Sequence, residues 1–168
     1  MEKPSTTEAS EIKVELRNWL KNAKRVVVAG VGSSIRKDDF IGVEIVRKLQ
    51  KKASHSVYLI ECETIPESFM QPIIDFKPSH ILVIDAGLLD SPPGSFKLIE
   101  SRETVAIPPV STHALPLQIF CEYLEEVTRA KIALLVIQPK DTSLGEGLTA
   151  ELEETAEHLT EVLLKILP

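Results

Sequence analysis

The feature that most constrains the fold is the regular alternation of short apolar runs with longer segments of helical periodicity. The run Arg25–Ala29 is rich in β-branched residues and closes on a glycine, which is typical of a strand buried on both faces. Similar runs predict strands at Ser56–Glu61, His80–Asp85 and Lys131–Ile137. Because strands that alternate with helices usually pair in parallel, we predict an α/β fold with a mainly parallel sheet covered by helices on both faces.

The segments between these runs complete the predicted layers. Apolar residues at helical spacing predict helices at Thr7–Lys24, Phe40–Lys52, Pro66–Asp75, His113–Ala130 and Thr149–Leu167. Ser95–Glu100 alternates in polarity and predicts a half-exposed edge strand. Thr104–Thr112 contains two consecutive prolines, so it is not expected to form regular structure.

Length and composition narrow the class of protein. A chain of 168 residues favours a single domain, in which residues 1–24 form an N-terminal helical extension to a core at 25–168. The net charge of −6 argues against nucleic-acid binding. The polar N-terminus is not a signal peptide, and no apolar run reaches the roughly 18 residues of a membrane span. We therefore expect a cytoplasmic protein without membrane insertion, whose Cys62 and Cys121 are buried thiols.

Parallel sheets bind ligands outside the carboxyl ends of their strands, so the residues at those ends are the candidate site. After the first strand, Gly30 and Gly32 resemble the start of a dinucleotide-binding loop, but Ile35 stands where its third glycine belongs. The acidic pair Asp38-Asp39 follows where a helix begins, and it would repel a phosphate. Helix capping explains one of these carboxylates and leaves the second without a structural role.

Two further candidates follow later strands. Asp85 directly ends an apolar strand, and His113 opens a helix after the proline-rich segment. Asp39, Asp85 and His113 belong to separate strand–helix units, so all three can reach one crevice, and their oxygen and nitrogen atoms suit a divalent transition metal. The chain contains no dense zinc motif and no Gly-x-Ser-x-Gly elbow. The residues alone therefore indicate an open metal site or an acid/base site.

The same segments resemble the hydrogenase maturation proteases, the endopeptidases that trim [NiFe]-hydrogenase large-subunit precursors. Three signatures carry the resemblance, in the family's order, from about Val26 to the C-terminal helix. They are Val31-Gly32-Ser33 with Asp38-Asp39 and Gly42; Ile81-Leu82-Val83-Ile84-Asp85-Ala86 with Pro93-Gly94; and Ser111-Thr112-His113-Ala114-Leu115-Pro116-Leu117 with Val136-Ile137-Gln138-Pro139. The Thr-His-x-x-Pro-Leu and Ile-Gln-Pro segments look most like the branch that serves formate-hydrogenlyase-type hydrogenases.

The resemblance implies a three-layer α/β/α fold, whose twisted five-stranded sheet is mostly parallel with one antiparallel edge strand. It implies an aspartyl-type endopeptidase in which Asp39, Asp85 and His113 bind nickel and carry the catalysis. The nickel belongs to the substrate, because its insertion marks the precursor as ready for removal of its C-terminal peptide. The implied partner is that precursor, no organic cofactor is implied, and the oligomeric state stays open, with a monomer one option.

Around these residues, Gly30, Gly32, Asp38 and Gly42 are predicted to support the first loop. Ser33 departs from the family's asparagine, which puts in question any hydrogen bond made by that side chain. The chemistry leaves two options, since nickel can polarise the scissile carbonyl or a bound water, or an aspartate can act as general base.

Two other functions remain alternatives. A nucleotide-binding Rossmann-like domain would need Glu61 as its ribose partner, about 30 residues after Gly30 rather than the expected ~20. A non-hydrolytic assembly factor would bind the nickel-loaded subunit without cutting it.

Overall fold

A computed structural model describes residues 6–52, 54–100 and 114–168. The helices in these ranges are α1 (Thr6–Trp19), α2 (Ile41–Leu49), α3 (Met70–Phe76), α4 (Ala114–Thr128) and α5 (Ala150–Ile166). The strands are β1 (Val26–Val31), β2 (Val57–Glu63), β3 (His80–Ala86), β4 (Phe96–Glu100) and β5 (Lys131–Ile137). Short 3-10 turns at Lys37–Phe40, Gln50–Lys52 and Pro66–Phe69 flank α2 and precede α3.

The five strands form one sheet in the order β2-β1-β3-β5-β4. The neighbours β2, β1, β3 and β5 pair in parallel, and β4 pairs antiparallel with β5 at the edge. The predicted architecture and the antiparallel Ser95–Glu100 edge strand are therefore confirmed. From β1 the chain runs to β2 on one side and to β3 on the other, so the strand order reverses between β1 and β3. A crevice opens at such a switch point in doubly wound sheets.

Side chains that alternate along the strands build a core on each face of the sheet. Val26 and Val28 point toward α1, α2 and α5, whereas Val27 and Ala29 point toward α3 and α4. Each fully buried aliphatic side chain contributes about 1.5–3 kcal/mol, so the two cores fix which face each helix covers. The predicted N-terminal extension belongs to the first core, because α1 buries Leu16 completely.

Element boundaries differ from the predictions where single residues change the backbone. Helix α1 ends at Trp19 rather than Lys24, and Asn22 then adopts a left-handed conformation with φ of 66°. Strand β1 continues past Ala29 to Val31, because both of its neighbours still pair with Gly30. The proline-rich segment Thr104–Thr112 lies outside the described residues. In the ranges that the structure covers, no helix combines the length and apolar character needed to cross a membrane.

Candidate active site

Three glycines, one near the end of β1, one just after it and one in α2, let the backbones of β1, α2 and β3 pack directly against one another. A Cβ atom at Gly32 would overlap the carbonyl oxygen of Asp39. A Cβ atom at Gly42 would overlap the carbonyl of Ile84 and lie 2.6 Å from the carbonyl oxygen of Val31, and one at Gly30 would overlap the carbonyl of Gly42. These are contacts between backbones, which only glycine permits. The glycines predicted as loop support thus hold the start of α2 against the ends of β1 and β3.

This packing places Asp39 at the carboxyl end of β1. Asp39 lies in the 3-10 turn before α2, and its side chain is fully buried. The backbone N–H of Ser33 donates a 2.9 Å hydrogen bond to Asp39 Oδ2, which fixes the carboxylate over the loop that follows β1.

Asp85 occupies the neighbouring strand end. It is fully buried at the penultimate position of β3, opposite Val136 of β5. The preceding residue, Ile84, pairs with Gly30 and contacts Gly42. The structure therefore brings both predicted aspartates to adjacent strand ends, at the point where the strand order reverses.

Asp38, although adjacent to Asp39 and equally buried, binds a different part of the chain. Its carboxylate accepts hydrogen bonds from the backbone N–H groups of Lys140, Asp141 and Thr149 at 2.7–2.9 Å, and from the Thr149 hydroxyl. Neither the 3-10 turn nor α2 has a side-chain N-cap, so the capping explanation for this acidic pair is wrong. Asp38 instead anchors the loop after β5.

We name this loop, residues 138–149, the β5 loop. The sequence pattern did not indicate that it belongs to the site. Lys37 forms a 2.7 Å salt bridge with Asp141, and its backbone N–H donates to the Gly145 carbonyl. The hydrogen bond from Lys37, followed by those from Ser143, lowers the pKa of Asp141 below its usual range. The sequence did contain a local indication of this loop's sharp turns, because Gly145 and Gly147 both adopt positive φ.

The third predicted ligand, His113, lies outside the described residues. Within residues 6–52, 54–100 and 114–168, no group of three or more His, Cys, Asp or Glu side chains is arranged to hold a metal ion. The described part of the chain thus supplies two carboxylates, and the complete nickel-binding set stays a prediction. His80, the first residue of β3, lies at the opposite end of that strand from Asp85 and therefore away from the candidate site.

The geometry does not favour a nucleotide site. In a dinucleotide-binding loop the backbone amides donate to the phosphates of the ligand, but here the Ser33 amide donates to Asp39. The buried carboxylates of Asp38 and Asp39 follow the same loop and would repel a phosphate. Glu61, the proposed ribose partner, forms a 3.0 Å salt bridge with Arg47 of α2. The thiols of Cys62 and Cys121 are buried, as predicted, and burial raises the pKa of each to about 12, so neither is a ready nucleophile.

Comparison with known proteins identifies the family. The hydrogenase maturation protease family model matches residues 43–166. A Methanocaldococcus jannaschii protein assigned as a hydrogenase maturation protease is 33% identical over 164 residues, covering 93% of this chain and 96% of its own. The hydrogenase 3 maturation protease of Escherichia coli K12 is 24% identical over 131 residues, covering 78% and 83%.

The fold leads to the same group. The crystal structure of a [NiFe] hydrogenase maturation protease, HycI from Thermococcus kodakarensis, superposes with a TM-score of 0.84 at 32% identity, covering 91% of this chain and 98% of that one. The family model begins after the acidic pair, so Asp85 and His113 fall within the matched range and Asp39 precedes it. With a family model over most of its length and a relative 33% identical across nearly all of it, the chain belongs to the hydrogenase maturation proteases, a family of endopeptidases.

Proposed function

We propose that this protein removes the C-terminal extension from the large-subunit precursor of a [NiFe] hydrogenase, in the cytoplasm, after nickel has been inserted. The observation that supports it most directly is the burial of two aspartates, Asp39 and Asp85, at adjacent strand ends. The two carboxylates lie at neighbouring ends of β1 and β3, and carboxylate oxygens are ligands that a divalent cation delivered by the substrate can bind.

In this proposal Asp39, Asp85 and His113 contact nickel that the precursor carries. Three protein ligands leave coordination positions for the precursor's own groups, so the ion can link enzyme and substrate. The Ser33 amide and the glycine packing keep the Asp39 carboxylate oriented before the substrate arrives. Nickel supplies Lewis acidity toward the scissile carbonyl or a water, and an aspartate that instead accepts the water's proton acts as general base. The second option makes this an aspartyl-type endopeptidase.

The central experiment incubates the purified protein with nickel-loaded and nickel-free precursor and measures the product masses. We expect cleavage of the nickel-loaded precursor only. Binding of that precursor without cleavage would instead indicate an assembly factor, and tight nucleotide binding would contradict the proposal.

The role of His113 is tested separately. His113→Ala should abolish processing while circular dichroism and the thermal midpoint stay unchanged. His55→Ala, a change at an exposed residue in the loop before β2, is the matched control and should process normally. Normal processing by His113→Ala would remove this histidine from the site.

Variants of the two aspartates distinguish between the two chemical options. If Asp39 or Asp85 binds the ion, its change to Asn should raise the Kd for nickel-loaded precursor. If it serves as general base, the same change should lower kcat and leave the Kd unchanged.

A further inference from the structure

Exposed aliphatic side chains recur where the parallel strands of the sheet end. We call this end of the sheet the carboxyl edge and the opposite end, where those strands begin, the amino edge. Ile35, Ile65, Leu88 and Leu144 have relative exposures of 56%, 48%, 57% and 78%. They follow β1, β2, β3 and β5 respectively, so each loop at the carboxyl end of a parallel strand presents one of them. Single exposed aliphatics need no explanation, but four around one edge mark a surface of potential function.

Backbone hydrogen bonds hold the loops that carry Ile35, Leu88 and Leu144. The N–H of Gly145 donates to the Ile35 carbonyl at 2.9 Å, which joins the loops carrying Ile35 and Leu144. Leu88 lies between two anchored residues, because Gly87 donates to the Ile137 carbonyl and Leu89 donates to the Gln138 side chain. Side chains on anchored loops lose less conformational freedom when a partner binds, so this edge is preorganised for contact.

Two of the cations near these aliphatics pair with carboxylates of the protein itself. Lys37 pairs with Asp141 at 2.7 Å, and Lys140 pairs with Glu151 at 2.6 Å. The Arg36 side chain, next to Ile35, donates to the Thr142 carbonyl. Because these three cations already have partners within the protein, they favour an apolar partner over a strongly charged one.

We propose that Ile35, Ile65, Leu88 and Leu144 form a docking rim that binds an apolar face of the large-subunit precursor next to its cleavage site. This inference rests on the proposed function. The occupant is a polypeptide because the family cuts polypeptides, and the rim lies on the same edge as Asp39 and Asp85. The rim therefore adds to the affinity for the precursor without taking part in the cleavage of the bond.

A second exposed apolar set provides the control. Ile119, Tyr123 and Val127 lie on one face of α4 at four-residue spacing. Val127 is 46% exposed and lies close to the start of β5, at the amino edge of the sheet. It matches the rim residues in chemistry and exposure and differs from them in position.

The test compares Leu88→Ser/Leu144→Ser with Val127→Ser in processing of nickel-loaded precursor. We expect the double variant to raise KM by about tenfold with kcat retained, because truncating well-placed apolar contacts typically costs that much affinity. Val127→Ser should leave both constants unchanged. Since the three residues are exposed, all variants should keep the wild-type thermal midpoint.

An unchanged KM in the double variant would overturn the rim, as would an equal rise in Val127→Ser. The Kd for precursor, measured in parallel, separates this result from failure of the proposed function. If the wild type binds but does not cut, the proposed function fails, and the rim stands only if the double variant weakens binding. If the wild type does not bind the precursor at all, both proposals fail.

Discussion

The two edges of the sheet differ in how they bury polar groups. At the carboxyl edge, Asp38, Asp39 and Asp85 are all fully buried carboxylates, packed among backbone contacts. At the amino edge, the buried polar side chain is His80, which packs edge-on against Trp19 with ring centroids 5.1 Å apart. A cavity of about 400 Å³ also lies there, lined by both acidic and basic residues such as Glu100 and Lys131.

The difference shows that concavity alone does not mark an active site. The amino-edge cavity is lined by charges of both signs, Glu100 and Glu125 beside Arg129 and Lys131. The carboxyl edge instead holds three buried carboxylates, of which Asp38 anchors the β5 loop and Asp39 and Asp85 form the candidate site.

Replacing the carboxylate of Asp39 should remove activity while the protein stays folded. We expect Asp39→Asn to lower the processing rate by about 10³-fold or more, as losses of central catalytic groups do. Asn has nearly the same shape and can still accept the Ser33 hydrogen bond, so the variant should stay folded, which circular dichroism checks. The amino-edge counterpart, His80→Phe, should process precursor at the wild-type rate. Comparable activity loss in both variants would erase the functional contrast.

Adding one methyl group at Gly42 should destabilise the carboxyl edge. The new Cβ would overlap the Ile84 carbonyl and approach the Val31 carbonyl to 2.6 Å, so strand ends and helix must separate. We expect a loss of about 3 kcal/mol or more in chemical denaturation, at the upper end of overpacking effects. Gly147→Ala is the control, since its Cβ meets nothing within 4 Å and only the φ of 85° is unfavourable, at about 1 kcal/mol. Equal losses would show that backbone packing is not decisive.

Asp38→Ala should cost less than the change at Gly42 but still weaken the fold. It leaves three backbone N–H groups and one hydroxyl without their acceptor. We expect a loss of about 2–3 kcal/mol in the free energy of unfolding, because the loop can recover part of this by exposing the donors to water. Urea denaturation measures the loss. A change below about 0.5 kcal/mol would show that the β5 loop stays in place without this carboxylate.

The amino edge should produce the smallest effect, which depends on pH. Burial, assisted by the charge of Lys131, lowers the pKa of His80 below its ordinary value of 6.5. As the pH falls below 6.5, the unfolded chain takes up a proton that the folded protein resists, so the free energy of unfolding decreases. The slope from this group cannot exceed about 1.4 kcal/mol per pH unit. Denaturation between pH 7.5 and 5 should show that His80→Phe flattens the decrease, and an unchanged slope would assign it to other groups.

Local patterns were sufficient to predict most of the fold. The apolar run Lys131–Ile137 matches β5 at both ends, because a strand buried on both faces is continuous in sequence. The end of α1 could not be found this way, since Asn22 leaves the helix through a left-handed conformation that its neighbours do not encode. The position of Asp85 was also predicted, because a polar residue that ends an apolar strand must lie at that strand's end.

The division of work within the acidic pair could not be predicted. Adjacent residues in a 3-10 turn point about 120° apart, so Asp38 and Asp39 reach different loops although their chemistry is identical. Which loop each one meets depends on the β5 loop, which lies more than 100 residues further along the chain. Local sequence spacing carries no information about such a contact.

The Asp38 hydrogen bonds also have a consequence for the order of events during synthesis. They join residues 102 to 111 positions apart, so they cannot form until the chain through Thr149 has emerged from the ribosome. Long-range contacts of this kind close late in folding, and pulsed hydrogen exchange should show the amides of Lys140 and Thr149 among the last to be protected. A nascent chain of this enzyme therefore cannot complete its carboxyl edge until the β5 loop has been made.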